Sequence, residues 1–160
     1  MITAYRVLAG TVAALVGVQA ASHAWVSAGL GAYIMGGAVV DKSMMEDTGG
    51  PLPFPEAIGF MIHGLNGSLV IPAVALALLV VSFFTRASRA VMWAAIVLGL
   101  VALQVTLGYA AHGLAVLAIF HGLNALALFG AAVTAVGRVR RHVATSGAAA
   151  SATVRGSVAV

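Results

Sequence analysis

Three long intervals of this chain carry no charged side chain: residues 7–40, 57–85 and 90–137, which are 34, 29 and 48 residues long. A helix crosses the hydrocarbon layer in about 20 residues, so the first two intervals each hold one crossing. The third holds two, with a tight turn placed near His112, Gly113 and Leu114. The expected fold is an all-α integral membrane protein, a four-helix transmembrane bundle with spans at about 8–34, 57–84, 90–111 and 116–137. Composition agrees: 8% of residues are charged and the mean hydropathy is +1.09, where a soluble domain carries roughly 25% charged residues. With 160 residues there is no room for a second globular domain. The absence of cysteine excludes disulfides, thiolate metal sites, iron–sulfur clusters and thioether-linked haem.

The positions of the few charges set an expected topology. Arg6, Arg86, Arg89, Arg138, Arg140 and Arg141 all fall on one side of a four-span chain. Asp41, Glu46, Asp47 and Glu56, with Lys42, fall on the other, in a loop at about 36–56. Arginine-rich connections stay in the cytoplasm, so both termini are expected there and the acidic loop outside, in the plasma membrane of a bacterium. The high pI is a consequence of this topology, and no nucleic-acid partner is expected. The first 24 residues have the basic start and apolar core of a signal peptide, but the apolar run continues through Met35, too long for one. In the outer loop Pro51, Pro53 and Pro55 alternate, which predicts an extended, semi-rigid flap. The tail at 142–160 is low-complexity sequence without a hydrophobic period and is expected to be disordered.

The motif His-Gly-Leu-Asn occurs twice, at 63–66 and at 121–124. The spans before each copy carry a glutamine and a second histidine, Gln19 with His23 and Gln104 with His112. This order predicts two pseudo-repeated helical hairpins inserted with the same polarity. Both motif-bearing spans then run parallel from the outer side. His63 and His121 lie five or six residues in, roughly 8–9 Å deep at 1.5 Å per residue. They should face each other across the bundle.

Ionisable side chains within spans are costly and usually functional. Two facing imidazoles can supply both axial ligands of a haem, which suits electron transfer. The small residues Gly64, Gly67, Gly122 and Ala125 beside them would leave a shallow face for a flat macrocycle. Asn66 and Asn124, one turn on, could hydrogen-bond a ring nitrogen or a propionate. Lys42, Trp25 and Tyr33 are candidate propionate partners at the outer interface. The competing readings are polar packing that only sets helix register, and a zinc, copper or proton-relay site. Met44, Met45 and Met61 add a weak signal for copper(I).

Four spans with a histidine near the outer start of spans two and four resemble one half of haem A synthase. The stretch at 103–129, "LQVTLGYAAHGLAVLAIFHGLNALALF", is similar to that family's glutamine helix, short outer connection and histidine helix. The layout also resembles small four-span bacterial membrane proteins with paired "LQ" and "H..N" signatures. The resemblance implies that His63 and His121 take the ligand positions. Gln19, Gln104, His23 and His112 are candidates to stand behind them, with the role of the two histidines, as ligands, donors or bystanders, left open. Departures are specific. Gly64 follows His63 where the family's catalytic half has an arginine, Glu56 lies seven residues upstream of His63, and the outer-loop cysteines are missing. A haem-b-holding, non-catalytic member is therefore expected, acting in electron transfer or as a cytochrome-like subunit of a larger membrane oxidoreductase. Glu56 would be catalytic only in a true synthase. A cofactor-free assembly subunit is the alternative.

Overall fold

The computed structural model describes residues 1–41 and 50–158, with side-chain surroundings up to residue 139. The described residues form helices, turns and loops, with no strand. The helices are α1 (Ile2–Met35), α2 (Pro55–Phe83), α3 (Ala90–Ala110) and α4 (Leu117–Val158). Each is long and apolar enough to cross a membrane, α4 through its part Leu117–Val139. The expected boundaries lie within a few residues of these, except that α1 starts six residues earlier and α4 continues past its apolar part to Val158. The turn at His112 and Gly113 is present, closed by Gly113 and Leu114 N–H groups donating to Ala110 O.

α1 packs against α2 and α4, and α3 packs against the same two. The helices thus form a ring in chain order, with α2 and α4 on one diagonal. Tyr5, Ala9, Val12 and Val16 of α1 are buried at spacings of four, three and four residues. The same spacing recurs at Ile71, Ala75, Leu78 and Ser82, at Ala90, Ala94, Val97 and Val101, and at Leu128, Ala132, Ala135 and Val139. This is the seam of left-handed helix packing, and its many alanines let the backbones approach closely where lipid supplies no hydrophobic drive. At this arginine-bearing end Tyr5 OH donates to Ala90 O at 3.1 Å, tying α1 to α3.

The seams keep constant offsets. Each seam residue of α3 is its α1 counterpart plus 85, and each of α4 is its α2 counterpart plus 57. The His-Gly-Leu-Asn copies, however, lie 58 apart. α2 therefore carries one extra residue between motif and seam, and it is absorbed as a π turn at Asn66–Val70, where Ile71 N–H donates to Asn66 O five residues back. Pro72 helps to widen the turn, because it has no N–H and its ring crowds the carbonyl four residues before it. Because the π turn absorbs the extra residue, His63 stays on the inward face of α2, as His121 is on α4.

Two expectations for the connections change. Phe54 has an extended backbone (φ −152°, ψ 154°), and directly after it Pro55–Ala57 is a 3-10 turn opening α2, where the flap was expected to continue. Proline suits that first position, where its missing N–H costs nothing. Phe54 is buried and stacks near Tyr33 at 5.2 Å between ring centres. At the other end, the tail expected to be disordered is helical to Val158. Alanine has the highest helix propensity, and the run of alanines from 148 to 150 and beyond contains no proline to stop the helix. Lys42, Met44, Met45, Glu46 and Asp47 fall in 42–49, outside the described residues, as do 159–160.

Candidate functional site

Two matched polar clusters sit toward the end of the bundle that carries the proline loop. In the first, His63 Nδ1 of α2 lies 3.1 Å from the Gln19 backbone oxygen of α1. One turn on, Asn66 Nδ2 donates to Leu15 O and to Gln19 Oε1, both at 3.1 Å. In the second, His121 Nδ1 of α4 lies 3.1 Å from Gln104 O of α3. Asn124 Nδ2 donates to Leu100 O at 2.9 Å and to Gln104 Oε1 at 2.6 Å. Both asparagines are 7% exposed. In each cluster the glutamine and the leucine four residues before it supply the backbone oxygens, so one helical turn of carbonyls faces one helical turn of side chains.

Backbone carbonyls only accept, and that decides the orientation of all three side chains. Gln19 O and Gln104 O require the hydrogen on Nδ1 of each histidine, so a neutral imidazole leaves the Nε2 lone pair free. Leu15 O and Leu100 O require the amide nitrogen end of each asparagine. That in turn presents Oε1 of each glutamine to the asparagine and leaves its Nε2 pointing elsewhere, with no acceptor among the described residues. A second-nitrogen hydrogen bond to a backbone carbonyl is the usual brace of a metal-bound histidine.

The two clusters meet across the α2–α4 diagonal. The rings of His63 and His121 stand 6.3 Å apart, centre to centre, tilted by 50°. With metal–imidazole bonds of about 2 Å, two imidazoles on opposite sides of one ion have ring centres about 6 Å apart. The donor set fits a haem, which brings four nitrogens and needs two more. It does not fit the alternative of a three- or four-histidine zinc or copper centre. Among the described residues no group of three or more His, Cys, Asp or Glu side chains could hold a metal ion.

Space beside the rings is uneven. Ile58–Leu65, the motif-bearing part of α2, packs on α1, whereas Ile71–Phe83 packs on both α1 and α3. Gly64 and Gly122 are exposed and have no atom within 4 Å of where a Cβ would stand. Gly67 instead makes room for a neighbour, since a methyl group there would collide with Gln19 Nε2. Ala125, at the matching place in α4, is half-buried.

Other candidate residues separate. His23 belongs to the site, its ring 5.3 Å from that of His63. His112 does not; it is exposed and meets Tyr109 edge-on at 6.4 Å. The 85-residue offset of α1 and α3 explains this, because His23 corresponds to Gly108 and not to His112. A Cβ on Gly108 would stand 3.1 Å from His121 Cε1 and 3.4 Å from Nδ1, so the His121 ring packs on the bare backbone. Asn66 and Asn124 donate to the glutamines and to Leu15 O and Leu100 O, and not to a histidine ring nitrogen. Tyr33 is held at Phe54, and Trp25 and Met61 are exposed. Glu56 lies over Gly29, with Oε2 2.8 Å from where a Cβ would stand. Comparison with protein families, curated proteins and solved structures finds no match to this chain.

Proposed function

We propose that the chain is a haem-b protein of a bacterial plasma membrane, in which His63 and His121 would hold the haem iron. Its bundle would derive from a duplicated helical hairpin, and both termini would lie in the cytoplasm. The single observation that carries the reading is the facing pair of imidazoles, 6.3 Å apart, each braced through Nδ1 by a glutamine carbonyl. A haem held in this way supplies reversible one-electron transfer.

The chain's own residues would do the rest. Gln19 and Gln104 hold each imidazole in the tautomer that presents Nε2 inward. Asn66 and Asn124 hold the glutamines. Gly64 and Gly122 leave room beside the ligands. With charged groups confined to the two ends, the site lies in a low-dielectric layer near the outer face. The function that follows is electron transfer, either alone or as a cytochrome-like subunit of a larger membrane oxidoreductase. Any kinship with haem A synthase would extend to the haem site and not to the reaction. Glu56 sits two helical turns from His63 and against α1, which gives no basis for an acid or base in haem modification.

The test is the absorption spectrum of protein purified after expression with ample haem, oxidised and reduced. A low-spin spectrum that His121→Ala abolishes and His112→Ala leaves intact supports the reading. Protein that folds without haem absorbance overturns it. In that case the second reading, a cofactor-free assembly subunit, is favoured by the asparagine bonds, which already join helices without a ligand. It expects His63→Gln and His121→Gln to be tolerated.

A further inference from the structure

We propose that the His63 side of the site is its exchangeable side, with His23 as the imidazole that takes the place of His63. This rests on the bis-histidine reading and adds a third ligand to it. Three observations distinguish the His63 side. First, a second imidazole stands next to His63: the His23 ring is 5.3 Å away, it is exposed, and no hydrogen bond to a described residue holds it. Second, the helix beneath His63 is widened into a π turn at Asn66–Val70, so its backbone lacks the regular four-residue hydrogen bonding that runs through the motif of α4. Third, the segment Ile58–Leu65 that carries His63 packs on α1, without the α3 packing that grips Ile71–Phe83.

The His121 side has none of these. Its helix is regular through the motif and packs along α3. The position matching His23 is Gly108, whose backbone closes on the His121 ring at the distances of a tight contact. Pseudo-equivalent ligands are therefore held unequally: His121 is clasped, and His63 has a competitor within one ring's width. α1 neighbours both α2 and α4, so His23 lies on a helix that packs against the helices of both His63 and His121. In a haem-loaded protein the exchange would release the His63 imidazole and bind that of His23, one bond for one bond. A neutral imidazole replaces a neutral imidazole, and no electron or proton need be added.

The experiment uses the full chain purified with haem b. His63→Ala is expected to keep low-spin absorption, whereas His121→Ala loses it, and so does His23→Ala combined with His63→Ala. Free imidazole added to the double variant should restore the low-spin band, which shows that its bundle is intact. If His63→Ala is as high-spin as the double variant and imidazole restores both, the exchange is overturned while the bis-histidine reading stands. If the wild-type protein holds no haem, both fall. A measurement without any His63 variant makes the same decision. Electron paramagnetic resonance of the oxidised wild-type protein should give two low-spin populations that collapse to one in His23→Ala, and a single unchanged population refutes the proposal.

Discussion

The imidazole of His121 lies against the backbone of Gly108, and a Cβ added to that glycine would stand 3.1 Å from Cε1. The ring is thus wedged between Gln104 O, which takes its Nδ1 hydrogen, and a backbone that has no side chain to offer. Replacing Gly108 by valine should push the ring away from Gln104 O and destabilise the bundle by about 1–3 kcal/mol, the usual cost of overpacking. Thermal or detergent-induced unfolding of the purified protein measures this, and Gly99→Val, where nothing lies within 4 Å, is the control expected to show little change.

Asn124 joins Leu100 O and Gln104 Oε1 through one amide nitrogen. Hydrogen bonds between membrane helices contribute roughly 0.6 kcal/mol each, and a buried acceptor left without its donor costs about 1–3 kcal/mol. Asn124→Leu should therefore lower stability by about 1–2 kcal/mol. Asn66→Leu should cost less, because its two bonds are longer, 3.1 Å each. Unfolding of the two variants side by side gives the order.

Gly67 and Ala125 occupy matching places, yet only Gly67 has a glutamine amide over it. Gly67→Val should displace Gln19 and loosen the α1–α2 contact, with a loss of about 1–3 kcal/mol. Ala125→Gly should cost no more than about 1 kcal/mol, the difference in helix propensity. Equal losses in both variants would show that the Gln19 contact does not matter to stability.

One residue distinguishes α2 from α4 between motif and seam, so deletions should behave differently in the two helices. Removing Leu69 should convert the π turn to regular helix and leave His63 facing His121. Removing Leu126 should turn His121 by about 100° from the seam, since each residue of an α-helix turns by that angle. Helix content, unfolding and haem absorption after each deletion read the difference; equal damage from both would refute this account of the π turn.

His112 lies at the turn between α3 and α4 and, among the described residues, meets only the Tyr109 ring. His112→Ala should change stability by less than about 0.5 kcal/mol, as exposed substitutions do, and should leave any haem spectrum unchanged.

Much of the architecture is legible in residue order. Four crossings and their approximate ends follow from where charges are absent, and the pairing of His63 with His121 follows from two motifs at similar depth on parallel spans. Pairing His23 with His112 matches residue types and not offsets, which is why it fails. Counting 85 from His23 reaches Gly108, and that signal is present in the sequence. The helical tail is also readable, in its alanines, because helix propensity outweighs low complexity there. The π turn has a visible marker in Pro72, and a second in the one-residue mismatch between motif spacing and seam spacing.

What the sequence determined by itself is what the bilayer demands of any chain: runs of apolar residues long enough to cross, charges at the ends, and costly polar groups at a few defined depths. These depend on composition along the chain and need no neighbour. Only the tertiary structure decided which atoms the polar groups meet. His63 is oriented by Gln19 O and His121 by Gln104 O because helix rotation brings those carbonyls within 3.1 Å. That rotation is set by the burial of seams on all four helices at once. Whether a histidine gains a histidine beside it, as His63 does, or a bare glycine, as His121 does, is a property of that shared packing and of no single helix.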